Sequence, residues 1–152
     1  MSISIRFYRD EDFVAVAALE EPGLHEPNRS AVFVRQMGEV CKDTFLVAVI
    51  DDGDPVGYTV GTSVQHNFRE AWILRRGVRA DHRRKGIGAA LLKSVTGALQ
   101  ERHAGTIRFS VSPKKPAIRL YEGQGFGQEK IIPTYFGLGE DRIIMKKTLT
   151  EN

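Results

Sequence analysis

Sulfur is scarce in this chain: its 152 residues include one cysteine, Cys41, and three methionines. A lone thiol excludes any intrachain disulfide and any cysteine-rich metal centre, and Cys41, within an expected helix, reads as buried apolar filler. The longest apolar runs fall far short of the roughly 18 residues a membrane-spanning helix needs. The opening MSISIRFYRD lacks the apolar core of a secretory signal. Both absences lead to the expectation of a cytoplasmic protein with no membrane partner. No internal repeat or low-complexity tract is present. His66, His82 and His103 are scattered without metal-ligand spacing, so no metal is expected. No serine, histidine and carboxylate set can be assembled, and the G-x-x-x-x-G-K-[ST] order of a Walker loop is missing.

What is present fits one soluble domain over residues 1–152, with 41% hydrophobic and 27% charged residues and length enough for a single substantial core. The net charge of +3 is modest, but Arg75, Arg76, Arg79, Arg83, Arg84 and Lys85 crowd one short stretch. No aromatic platform is interleaved with them, so no nucleic-acid partner is expected. The phosphates of a nucleotide cofactor account for the cluster more economically.

That cluster runs into Val78 to Gly88, VRADHRRKGIG. Gly86 and Gly88 leave the backbone uncovered where three cations arrive. The first amides of a helix have no intrahelical acceptor, and the helix dipole adds about half a positive charge there, which suits a phosphate. A GxG alone is often only a turn before a helix. Here a strand, Ala71 to Arg79, leads in, and Ile87, Ala90, Leu91, Ser94, Val95, Ala98 and Leu99 follow at helical spacing to about Arg102.

The remaining elements are read the same way. Ile3 to Tyr8 forms an opening strand, and Asp10 and Asp12 precede a helix carrying Phe13, Val16, Ala17 and Glu20 that ends near Pro22-Gly23. Glu21 to Asn28 is a loop. A second helix spans about Arg29 to Lys42 with Val32, Phe33, Gln36, Met37 and Val40 inward. Thr44 to Ile50 and Val56 to Val64 are strands joined by DDGDP, in which Gly53 and Asp54 take the turn dihedrals. Thr106 to Ser112 is a strand. Pro116 opens a helix that Gly125 ends, and two strands follow around a loop from Pro133 to Glu140.

Val78, Arg83, Gly86 and Gly88, followed after a strand by Ala117, Leu120, Tyr121, Glu122, Gly125 and Phe126, resemble the GNAT superfamily of N-acetyltransferases. The pattern there is V-x-x-x-x-R/Q-x-x-G-x-G/A and then A-x-x-LYE-x-x-GF. The match covers about half the chain. The tail PTYFGLGEDRIIM resembles the ending of RimI-like and archaeal N-terminal acetyltransferases, with Tyr135, Phe136, Gly139, Glu140, Asp141 and Met145 in matching places. The element order β-α-α-β-β-β-α-β-α-β-β is that of the resembled superfamily. It implies an α/β fold with a mixed, mostly antiparallel central sheet flanked by helices, in which the strands ending at Val78 and at Ser112 splay apart around the cofactor.

The resemblance also implies acetyl-coenzyme A as cosubstrate. Its diphosphate would lie on the amides of Arg83 to Gly88, with Ile87 and Ala89 in the same helix turn. Its pantetheine arm would pair with the backbone of Arg76, Gly77 and Val78, and the Val78 amide would polarise the acetyl carbonyl. Arg84 and Lys85 are candidates for charge-assisted phosphate contacts. Lys115 stands where those enzymes have an asparagine near the cofactor. Tyr121 matches the general acid: a phenol of reference pKa about 10 can protonate a departing thiolate. Its alternative is helical core beside Ala117.

The base is less legible. Ser110 occupies a place where RimI-like enzymes have glutamate or histidine. Glu70, an even number of residues from Val78 on one strand, is a candidate base through water or else a strand-end surface charge. Tyr135, His25 and Glu26 are candidates for the acceptor amine, or else hairpin packing and ordinary surface. An α-amine of pKa about 8 is roughly one-tenth neutral at pH 7, whereas lysine at about 10.4 is below one part in a thousand, so a protein N-terminus is the expected acceptor before lysine. Alternatives are a small amine or antibiotic, and a non-catalytic coenzyme A-binding regulatory domain. The molecule is expected as a monomer or homodimer.

Overall fold

A strand that is apolar at every position, FLVAVI, must be covered on both faces, and β2 (Phe45–Ile50) is buried along nearly its whole length. It lies in a seven-stranded sheet of order β1-β2-β3-β4-β5-β7-β6. The computed structural model describes residues 2–19, 29–114 and 117–149. In chain order they form β1 (Ile3–Phe7), a 3-10 turn (Asp10–Asp12) running into α1 (Phe13–Ala17), α2 (Arg29–Val40), β2, β3 (Pro55–Val64) and β4 (Asn67–Val78). A second 3-10 turn (Ala80–His82), α3 (Ile87–Glu101), β5 (Thr106–Val111), α4 (Ile118–Gly123), β6 (Gly127–Ile132) and β7 (Arg142–Thr148) complete them. Pairing is antiparallel for β1 with β2, β2 with β3, β5 with β7 and β6 with β7, and parallel for β4 with β5. This is the mixed, mostly antiparallel arrangement expected, in the expected order.

Contacts group the chain into two compact units, Met1–Thr62 with Leu74–Ala98, and Ser63–Ile73 with Leu99–Asn152. In the first, alternation along β2 sorts two cores. Phe45, Val47 and Val49 join Val16 of α1, Val34 of α2, Cys41, Tyr58 and Val60, while Ala48 joins Val56 and the α3 residues Ile87 and Leu91. Asp12 is buried at 4% exposure and clamped by Arg6, with Nη1 to Oδ2 at 2.7 Å and Nη2 to Oδ1 at 2.8 Å.

In the second unit β5 alternates strictly. Ile107, Phe109 and Val111 are buried, and Thr106, Arg108 and Ser110 half-buried on the other face. β7 inserts between β5 and β6, pairing Phe109 with Met145 and Ser110 with Ile144. β6 carries an irregularity between Gln128 and Lys130, and Glu129, at that bulge, reaches Arg108.

Four local expectations are corrected. The inward stripe of α2 is Val34 and Met37, with Phe33, and it continues into Cys41, which lies just past the helix end rather than within it; Val32 is 52% and Val40 73% exposed. Both phases are apolar in sequence, and the one that continues through Cys41 won. The hairpin after β2 turns on Asp51 (φ 51°) and Asp52 (φ 59°), not Gly53 and Asp54. Gly53 N–H closes the turn on Ile50 O at 2.9 Å, as in the primed turns that match strand twist. Aspartate tolerates this backbone, and Asp51 is fastened by its amide to Ser2 O at 3.0 Å and by its Oδ1 to Ser2 N at 3.1 Å. β4 begins at Asn67 rather than Ala71, because NFRE, polar except for an exposed Phe68, carries no alternating apolar signal. The first helix begins as a 3-10 turn, with its α-helical part at Phe13–Ala17.

Candidate functional site

The candidate residues fall into two groups, one on each unit. In the first, β4 ends at Val78, whose side chain packs against the Ile87 and Leu91 core. Gly77 is pressed close: a β-carbon there would sit 3.0 Å from the Tyr58 ring. On the neighbouring strand, a β-carbon at Gly57 would meet Leu91 Cδ1 at 3.0 Å, and Ile87 Cγ2 and the Gly77 carbonyl oxygen at 3.2 Å. Glycine at 57 therefore lets the start of α3 settle onto β3, which places the loop before that helix.

The turn after Val78 is built by its own side chains. Arg79 N–H donates to Val56 O at 2.7 Å and His82 N–H to Arg79 O at 2.8 Å. Arg79 Nε and His82 Nδ1 both meet Asp81 Oδ1, at 2.7 and 2.8 Å. Hydrogen bonding from Arg79 first, then from His82, lowers the Asp81 carboxyl to about 2. Arg83 Nε donates to Val78 O at 3.1 Å. Asp81 thus occupies Arg79, while Arg84 and Lys85 are exposed beside the glycines.

Backbone dihedrals separate the loop residues. Gly86 has φ 83°, and Arg84, which has a Cβ, has φ 63°, a left-handed state that costs a non-glycine residue about 1–2 kcal/mol. A β-carbon at Gly86 would touch nothing within 4 Å, and one at Gly88 only Val78 Cγ2 at 4.0 Å. Gly86 is thus required by its dihedral, whereas at Gly88 the absent side chain bares the backbone. The helix proper starts where Ala90 N–H reaches Gly86 O at 3.0 Å. Open space over glycine backbone, exposed cations and a 15-residue helix start fit the diphosphate of coenzyme A.

In the second unit Tyr121 of α4 is 5% exposed. Its ring stands edge-on to Phe109 at 4.8 Å between centroids, and Phe109 meets Phe126 at 5.0 Å. Phe126 N–H donates back to Tyr121 O at 3.0 Å, which closes the short helix at its glycine exit. Ser110 lies on the opposite face of β5 from Phe109.

Glu70 lies within β4 rather than at its end, and Arg108 Nη1 meets its Oε1 at 2.9 Å. Arg108 also binds Glu129, Nε to Oε1 at 3.0 Å, and Lys146 Nζ meets Glu129 Oε2 at 3.5 Å. The Glu129 hydrogen bond, ahead of that to Glu70, raises Arg108 above the usual guanidinium value, and the Arg108 hydrogen bond lowers Glu129.

Tyr135 is 40% exposed in the hairpin loop between β6 and β7, edge-on to Phe136 at 4.8 Å, with the Arg142 guanidinium over Phe136 at 5.0 Å. Thr134 N–H donates to Asp141 Oδ1 at 2.8 Å and closes this loop. Among the described residues no group of three or more His, Cys, Asp or Glu is placed to hold a metal, and no helix is long and apolar enough to cross a membrane. His25, Glu26 and Lys115 lie outside the described residues. Sequence reasoning missed Gly57, Tyr58 and Arg108. An isolated glycine inside an apolar strand was the available signal for the first; nothing local marked the other two.

Residues 4–126 match the family model described as the acetyltransferase (GNAT) family. An N-alpha-acetyltransferase of Sulfurisphaera tokodaii is 29% identical over 95% of this chain and 92% of its own. An uncharacterised N-acetyltransferase of Methanocaldococcus jannaschii is 29% identical over 94% of this chain and 90% of its own. Ard1 from Thermoplasma volcanium superposes with a TM-score of 0.84 at 26% identity, covering 99% of this chain and 100% of that one. The chain belongs to the GNAT acetyltransferase family, and is an acyltransferase of that family.

Proposed function

We propose that the chain works as one domain that moves the acetyl group of acetyl-coenzyme A onto an amine, with the α-amine of a protein or peptide as acceptor. The cofactor part rests on the loop Arg83 to Gly88, where two left-handed residues, Arg84 and Gly86, present glycine backbone and exposed cations to an anion. The acceptor part rests on one observation: a relative named as an N-alpha-acetyltransferase matches nearly the whole length of this chain.

Acetyl-coenzyme A supplies a thioester carbonyl open to nucleophiles and a thiolate leaving group. The chain's own groups supply the rest. Amides of the Arg83 to Gly88 segment, with Ile87 and Ala89 in the first turn of α3, hold the diphosphate, and Arg84 and Lys85 add charge. Backbone groups of Arg76, Gly77 and Val78 align the extended arm, and the Val78 N–H stabilises charge developing on the carbonyl oxygen. Tyr121 gives its phenolic proton to the departing sulfur. An α-amine is already partly neutral at pH 7, so its nitrogen can attack and release its proton to water without a strong side-chain base. Glu70, held by Arg108, serves first as a brace. Tyr135 serves on the acceptor side, and His25 and Glu26, outside the described residues, are the other candidates for the amine. The enzyme acts in the cytoplasm.

Calorimetry with acetyl-coenzyme A, followed by an acceptor screen, tests this. Uptake of the cofactor and turnover of peptides with free N-termini, above N-terminally blocked lysine peptides, are expected. Turnover of polyamines or aminoglycosides without any peptide would defeat the acceptor assignment, and no uptake would defeat the whole.

A further inference from the structure

The peptide unit joining Val78 to Arg79 is held at both polar atoms: its N–H by Val56 O at 2.7 Å, its carbonyl by Arg83 Nε at 3.1 Å. On its N-terminal side Gly77 is wedged against Tyr58, and the Val78 side chain packs with Ile87 and Leu91. Backbone preceding a turn is ordinarily free to swing. Here two hydrogen bonds and two packing contacts remove that freedom. Arg83 is also the first residue of the glycine loop, so one residue contributes its backbone to the anion loop and its side chain to the end of β4.

From this geometry we infer that Arg83 is a positioning residue: its Nε–H fixes the Val78 carbonyl, so that the anion loop and the Val78 amide keep one mutual register. Its guanidinium charge is secondary. The inference rests on the proposed function for its catalytic consequence, since only with a thioester at Val78 does that register bear on rate. Preorganised donors act because they need no rearrangement when charge develops, and a donor left to swing loses that advantage.

Three variants of the full chain separate donor from charge. Glutamine places a side-chain N–H donor the same number of bonds from Cα as the arginine Nε and carries no charge. Lysine keeps the charge but has no donor at that atom. Methionine keeps neither. Arg83→Met and Arg83→Lys are expected to lower kcat by about two- to ten-fold, the worth of one hydrogen bond, with calorimetric affinity for acetyl-coenzyme A held. Arg83→Gln is expected to recover most of that loss. Hydrogen exchange at the Arg79 amide, read on cofactor-free protein, should quicken in the Met and Lys variants and stay slow in Gln. Rescue by Lys and failure of Gln, with affinity lost in parallel, would show that Arg83 acts by charge on phosphate and overturn the inference, as would unchanged Arg79 exchange in Arg83→Met. Exchange needs no cofactor, so it stands even if the parent protein takes up no acetyl-coenzyme A, the result that would instead sink the proposed function.

Discussion

Gly57 faces the carbonyl oxygen of Gly77 so closely that a β-carbon at position 57 would lie 3.2 Å from it, and 3.0 Å from Leu91 on the other side. Leu91 can shift by a rotamer change, but the strand backbone cannot. Gly57→Ala should therefore destabilise the protein by about 1–3 kcal/mol and weaken acetyl-coenzyme A binding, because α3 is pushed off β3. Urea unfolding and calorimetry on the same preparation measure both.

Arg84 carries opposing effects. Its left-handed backbone, φ 63°, suits glycine, while its exposed charge suits phosphate. Arg84→Gly should raise stability by up to about 1 kcal/mol, yet bind acetyl-coenzyme A more weakly and with less dependence on salt. Thermal unfolding with and without cofactor reads both effects; a variant that gains stability and keeps full affinity would remove Arg84 from the binding site.

Tyr121→Phe keeps the ring that meets Phe109 at 4.8 Å and removes the hydroxyl alone. A loss of about 10² to 10⁴ in kcat with retained cofactor affinity is expected. Glu70→Gln should lose less than about ten-fold, as befits a brace to Arg108. A loss comparable to that of the tyrosine variant would make Glu70 the base after all.

Acid should loosen the first unit through Asp12. Burial acts to raise its carboxyl, but the Arg6 hydrogen bonds and the Arg9 amide together outweigh burial and leave it lowered. A carboxylate lowered on folding contributes stability that is fully present above its unfolded value of about 3.9 and is lost as pH falls through its folded value. Stability should decline from about pH 4 downward. Asp12→Asn should cost about 1.5–3 kcal/mol at pH 7 and flatten that decline, as urea midpoints across pH would record.

The element order was legible because each long element carries one period: two for β5, 3.6 for α3. Where two phases were both apolar, as with Val32 and Val34 in α2, only packing against Phe45 and Val47 could choose. The glycine loop was legible as a motif, but the left-handed state of Arg84 was not, since arginine gives no local sign of it. The commitment of Glu70 and Glu129 to Arg108 joins residues 38 and 21 positions from the arginine, and no local pattern spans such distances.

The last strand in sequence, Arg142–Thr148, seats itself between two that precede it, β5 and β6. A nascent chain that has not yet delivered it holds two bare edges, the kind of surface on which strands from other molecules add. Its arrival closes both at once, like a keystone dropped between standing stones. Delivery of β7, rather than synthesis of the glycine loop, is then the moment at which these two edges are covered.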